Sequence, residues 1–140
     1  MNKSGQVGME YLVIVGFVTF IVIGILGIAF FYSASIKDRM KAGDIGNFAN
    51  KITSTAESVF YAGSPSKATI SAYLPDNVRE IEITGNELII DFQTSSGINT
   101  ISFSSDVPMV ENSSSLLQVS SGIKKIVIVA NASDAVISQA

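Results

Sequence analysis

Few residues in this sequence are equipped for chemistry, and they fall into three groups. The first is a set of carboxylates. Glu80 and Glu82, two positions apart, would share one face of a strand, with Asp91 within reach across a turn. Such a pair can act as general acid and base, but a solvated strand face carries the same spacing. The second group is a pair of N-glycosylation acceptor triplets, Asn112-Ser113-Ser114 and Asn131-Ala132-Ser133. Asn2-Lys3-Ser4 also fits that pattern. The third is Glu10, a carboxylate set directly against a long uncharged run.

The rest of the composition narrows the chemistry further. The 140 residues include no cysteine, so neither a disulfide framework nor a thiolate metal site can form. They include no histidine either, which removes the commonest general base and metal ligand. No phosphate-cradling glycine loop and no nucleophile elbow is present. The paired serines, such as Ser95-Ser96 and Ser120-Ser121, read as turn chemistry. A net charge of −3 gives no support for nucleic-acid binding. Residues 62–140 hold four basic and eight acidic side chains, a net −4 that reads as a solvated acidic surface. We therefore expect a chain that is not an enzyme, with no cofactor, no metal and no nucleic-acid partner.

The element around which the chain is organised is residues 11–32, YLVIVGFVTFIVIGILGIAFFY. It has no charge, and its polar side chains are Thr19 and the two bounding tyrosines. As a helix it would be about 33 Å long at ~1.5 Å per residue, matching a hydrocarbon core of about 30 Å. In lipid only a helix satisfies every backbone amide within one segment. Three placements fit such a helix: a cleaved secretory signal, a plain membrane anchor, or an anchor used only during biogenesis and later packed against copies of itself. The run exceeds the roughly 7–15 apolar residues of a secretory signal. The flanking cations, Lys3 before it and Lys37, Arg39 and Lys41 after it, favour an anchor whose C-terminal domain is cytoplasmic.

Beyond the run the helix is expected to continue in amphipathic form to residue 61. Ile45, Phe48, Ile52, Val59 and Phe60 recur at helical spacing, with Ala49 and Ala56 between them. Gly43 and Gly46 suggest a bend or a break, and Ala62-Gly63-Ser64-Pro65-Ser66 stops the helix. The remainder reads as strands over 67–74, 78–84, 87–94, 98–104, 116–119 and 123–130, with a short final one over 135–138. The apolar run Ile126-Val127-Ile128-Val129 marks a central strand covered on both faces. The predicted class is α+β: a long hydrophobic N-terminal helix followed by a small antiparallel β-sheet or sandwich packed on its C-terminal half.

Lys3-Ser4-Gly5-Gln6-Val7-Gly8-Met9-Glu10, running straight into the apolar stretch, resembles the class III signal peptide of archaeal type IV pilins. The resemblance covers roughly residues 3–32. It implies a basic leader of residues 1–5, cleavage between Gly5 and Gln6, and Glu10 at the fifth mature position; Gly8 stands where the family often has serine. It also implies a mature helix over 6–61, an extracellular head over 62–140, and residence in the cytoplasmic membrane before assembly into a cell-surface adhesive filament. The partners implied are identical subunits, a prepilin peptidase, an assembly ATPase and a membrane platform protein. A free ammonium on Gln6 could then neutralise Glu10 of a neighbour; unpaired, a charge in low dielectric costs several kcal/mol. Glycans on Asn112 and Asn131 would suit an extracellular head. An archaellin-type motility subunit shares this layout, although the glutamine at the cleavage point leans toward adhesive pili. Mass spectrometry of the mature N-terminus should find a chain starting at Gln6, and Gly5→Val should leave Met1 in place; an intact Met1 in the unaltered chain contradicts the processing site.

Overall fold

The computed structural model describes residues 3–113 and 116–140, with side chains in the helix described from residue 8. One α-helix, α1, spans Lys3–Ala62. Among the described residues seven strands follow: β1 (Lys67–Leu74), β2 (Val78–Thr84), β3 (Glu87–Thr94), β4 (Gly97–Ser104), β5 (Met109–Glu111), β6 (Gly122–Ala130) and β7 (Ala135–Gln139). The fold is α+β, a long apolar N-terminal helix followed by β-sheets. The chain divides into two compact units, one ending at Lys37 and the other spanning Asp38–Ala140.

In the second unit, α1 presents one stripe to the core. Ile45, Phe48, Ala49, Ile52, Ala56 and Val59 are all buried, the i, i+3, i+4, i+7 pattern of a helix that hides one face. Gly43 and Gly46 lie within the helix, which continues unbroken through both. Each costs about 1 kcal/mol relative to alanine, and the packed stripe beginning at Ile45 offsets that cost. The helix ends where its stop signal stands. Gly63 adopts φ +80° and donates its N–H to the Phe60 carbonyl at 3.0 Å, closing the last turn as a glycine C-cap does.

The strands form two sheets. One has the order β1-β6-β7-β5, the other β2-β3-β4. The β2-β3 hairpin closes through Gly85-Asn86, with Thr84 opposite Glu87 and Gly85 at φ +61°, a position in a two-residue loop that glycine fills best. All pairings are antiparallel except β5 with β7, which is parallel. That three-residue strand had no sequence signature, because it is too short to show a period. Residues 116–119, expected as a strand, are irregular. Leu117 is buried in the core, while its N–H is accepted by Glu111 and that of Gln118 by Gln139 at 2.9 Å. Strand β6 is central, as its apolar run implied, but only one of its faces is fully covered: Ile126, Ile128 and Ala130 are buried, and Val127 and Val129 are half-buried.

The helix stripe, Leu74, Ile126, Ile128 and Ile137 of the first sheet, and Leu88, Ile90 and Phe92 of the second make one buried cluster. Among the described residues, polar contacts tie the helix to β1 and to the loops that join the strands. Asp38 accepts from the backbone N–H of Ser95 at 3.0 Å and from its hydroxyl. Lys41 pairs with Asp76 at 2.7 Å. The Lys51 amine donates to the Ser71 carbonyl at 2.7 Å, and Glu57 accepts from Ser105 and from the N–H of Asp106. The Ser95 hydroxyl, then its N–H, hold the Asp38 carboxyl below the usual range, with Lys41 adding less. Exposed pairs of this kind contribute little energy, so the buried stripe supplies the stability and these contacts fix the register. Phe48→Ala should lower the unfolding free energy of the full chain in mild detergent by about 3–5 kcal/mol. Phe31→Ala, at a position 83% exposed, should change it by under ~0.5 kcal/mol; equal shifts in urea midpoint contradict this division.

Candidate functional site

The feature that sets this molecule apart is the surface of α1 ahead of Lys37. Every described side chain from Gly8 to Tyr32 is exposed, including Phe17, Phe20, Phe30 and Phe31 among many aliphatic residues. The helix is long and apolar enough to cross a membrane, and none of its most apolar window is buried. Complete burial of one such side chain is worth roughly 1.5–3 kcal/mol. Summed over this surface the drive to leave water is on the order of tens of kcal/mol, far beyond the scattered apolar exposure normal for soluble proteins. The exposed apolar residues also run past the stretch singled out in the sequence, to Ile36 and Met40 at 55% and 66%. Their signal was the i, i+4 spacing from Tyr32, hidden among Lys37, Arg39 and Lys41.

Two hydroxyls of this segment are satisfied locally. The Thr19 hydroxyl donates to the Val15 carbonyl at 2.8 Å, and that of Ser35 to the Tyr32 carbonyl at 3.0 Å. Such back-bonding hides a hydroxyl from an apolar environment. A methyl group added at Gly16, Gly24 or Gly27 would meet nothing within 4 Å. The chain by itself therefore gives no reason for three helix-weakening glycines.

Glu10 stands on the exposed helix beside Met9, Val13 and Ile14, and no described residue bonds it. Lys3, Gly5 and Gln6, the expected processing residues, lie within α1, but their side chains fall outside those described, and Met1 and Asn2 lie wholly outside. Asn112 and Asn131 are both exposed. The backbone N–H of Asn112 donates to Ile137 and that of Asn131 to Asp134, each at 2.8 Å. Ser133, the third residue of the second triplet, is exposed and donates to Asp134 at 3.0 Å; Ser114, its counterpart in the first, is outside the described residues.

The carboxylates of the second sheet are brought together as the sequence suggested. Glu80 is directly opposite Asp91 in the β2-β3 register. Glu82 accepts from Thr84 at 2.9 Å and Asp91 from Thr100 at 2.6 Å. These are strand-face hydrogen bonds on an open surface. A groove of about 220 Å³ lies between α1 and β1, lined by Asp44, Asn47, Lys51 and Tyr73 among others; the Lys51 amine there is already bonded to Ser71. Compared with protein-family models, with curated proteins and with solved structures, the chain matches none.

The chain contains no cysteine, so single introduced thiols report accessibility without background. In membrane fractions of the full chain, Phe20→Cys should resist a water-soluble maleimide at least tenfold more than Ser58→Cys. Equal labelling contradicts an apolar environment for the N-terminal half of α1.

Proposed function

We propose that this chain is the structural subunit of an archaeal type IV pilus-like filament. It would polymerise through its apolar N-terminal helix and serve surface adhesion. The observation that carries this reading is an exposed apolar helical surface that starts directly after Glu10, in the setting where the leader resemblance places that residue. In the precursor the helix spans the cytoplasmic membrane. After cleavage before Gln6, an assembly ATPase and membrane platform would lift it into a polymer in which identical helices take the place of lipid. The exchange swaps one apolar environment for another, so little hydrophobic free energy is lost on leaving the bilayer. Gly16, Gly24 and Gly27 then have a use, because small residues let helices approach closely. Contacts that repeat without closing into a ring extend the polymer, and the β domain would coat it, carrying glycans on Asn112 and Asn131.

Glu10 would set the axial register by accepting a charge pair from the free Gln6 ammonium of a neighbour. An archaellin-type subunit is the same architecture with another task. A second reading, a single-pass membrane-anchored binding protein with a cytoplasmic domain, is favoured by one observation: Lys37, Arg39 and Lys41 follow the span, and only Lys3 precedes it.

Electron microscopy of sheared cell-surface material should show filaments containing this chain. Glu10→Gln should reduce their yield at least tenfold while the amount of membrane-inserted chain stays unchanged. Filaments at normal yield from Glu10→Gln argue against the charge pair, and the complete absence of filaments from the unaltered chain argues against the polymer.

A further inference from the structure

The two outward faces of the β domain differ in chemistry. On the four-stranded sheet, alternation that buries Ile126 and Ile128 sends Ile123, Lys125, Val127 and Val129 to the other side. Register carries one row straight across all four strands, from Lys67 through Val129 and Val136 to Val110. Tyr73 stands opposite Ile123, the two being 52% and 78% exposed. This face mixes Tyr73, Ile123 and four valines with Thr69, Ser71 and Ser138, and its described positions carry two lysines and no carboxylate. On the three-stranded sheet, Leu88, Ile90 and Phe92 enter the core, and the alternate positions carry Glu80, Glu82, Glu87 and Asp91. Arg79, at the irregularity in β2, is the cation beside them and donates to Gln93 at 3.1 Å.

We propose that the outward face of the four-stranded sheet docks on the outward face of the three-stranded sheet of a second copy of this chain. The occupant is chosen by charge. Lys67 and Lys125 flank the apolar row and find carboxylates on the other face, where Glu80 and Asp91 already repel each other as a directly opposed like-charge pair. The two faces are different surfaces of one molecule, so the contact is heterologous and leaves a free face at each end. Strands about 4.8 Å apart with about 3.3 Å per residue give roughly 400 Å² per three-stranded face. The resulting ~800 Å² falls below the ~1,200–2,000 Å² of stable interfaces. The contact therefore acts between domains that something else already holds side by side, and it rests on the polymer reading above, where the helices do so.

The test uses the full chain, as membranes and as sheared surface material, carrying Ile123→Cys and Thr84→Cys, one exposed thiol per face. A short flexible bis-maleimide should give a ladder of covalent oligomers. A mixture of the two single variants should stop at dimers, and either single variant alone should give none. Lys67→Glu with Lys125→Glu should reduce the ladder at least tenfold, and adding Glu80→Lys with Glu82→Lys should restore it. Filaments seen by microscopy without a ladder overturn this docking and leave the polymer standing, whereas the loss of both ladder and filaments overturns both. A ladder indifferent to the charge reversals, or dimers from Ile123→Cys alone, also overturns it.

Discussion

The structure depends on where the apolar surface of α1 goes. A helix whose described side chains from Gly8 to Tyr32 are all exposed cannot rest in water, because the drive to cover it exceeds the roughly 5–15 kcal/mol that holds a whole domain folded. The environment that covers it, lipid or other apolar helices, decides what the protein is. The local chemistry of the segment suits either one. Its backbone is bonded within the helix, and the Thr19 and Ser35 hydroxyls bond back to carbonyls of the same helix. Its charged residue between Gly8 and Tyr32 is Glu10.

The second half of the same helix solves a different problem. From Ile45 to Val59 its apolar stripe is buried in the core of the β domain, and Asp38, Lys41, Lys51 and Glu57 fix where along the helix that domain attaches. One helix thus has an N-terminal length whose side chains are exposed and a C-terminal length committed to its own domain. That division lets a chain of 140 residues keep a folded domain while its most hydrophobic side chains stay exposed.

Much of this was legible in residue order because the signals were local. The helix stop at Gly63 and the boundaries of β1, β2 and β3 followed from turn residues and alternation. Misreadings arose where tertiary context overrode local preference. Gly43 and Gly46 stay helical because the stripe beside them is packed. Leu116 to Val119 looked like a strand because Leu117 is apolar, yet Leu117 serves the core from an irregular loop. Strand β5 exists because its three residues are held beside β7, a partner far away in sequence. Of the site, Glu10 and the apolar run could be read from the sequence, whereas the contact of Asp38 with Ser95 could not, since it joins residues 57 apart.

The most direct measurement is a helical reconstruction by cryo-electron microscopy of detergent-free material containing the full chain. The account predicts a lipid-free core in which the helical segments between Gly8 and Tyr32 pack against their equivalents from neighbouring copies, with the β domains outside. Single copies whose N-terminal helix touches only lipid or detergent, with no ordered neighbour, would contradict it.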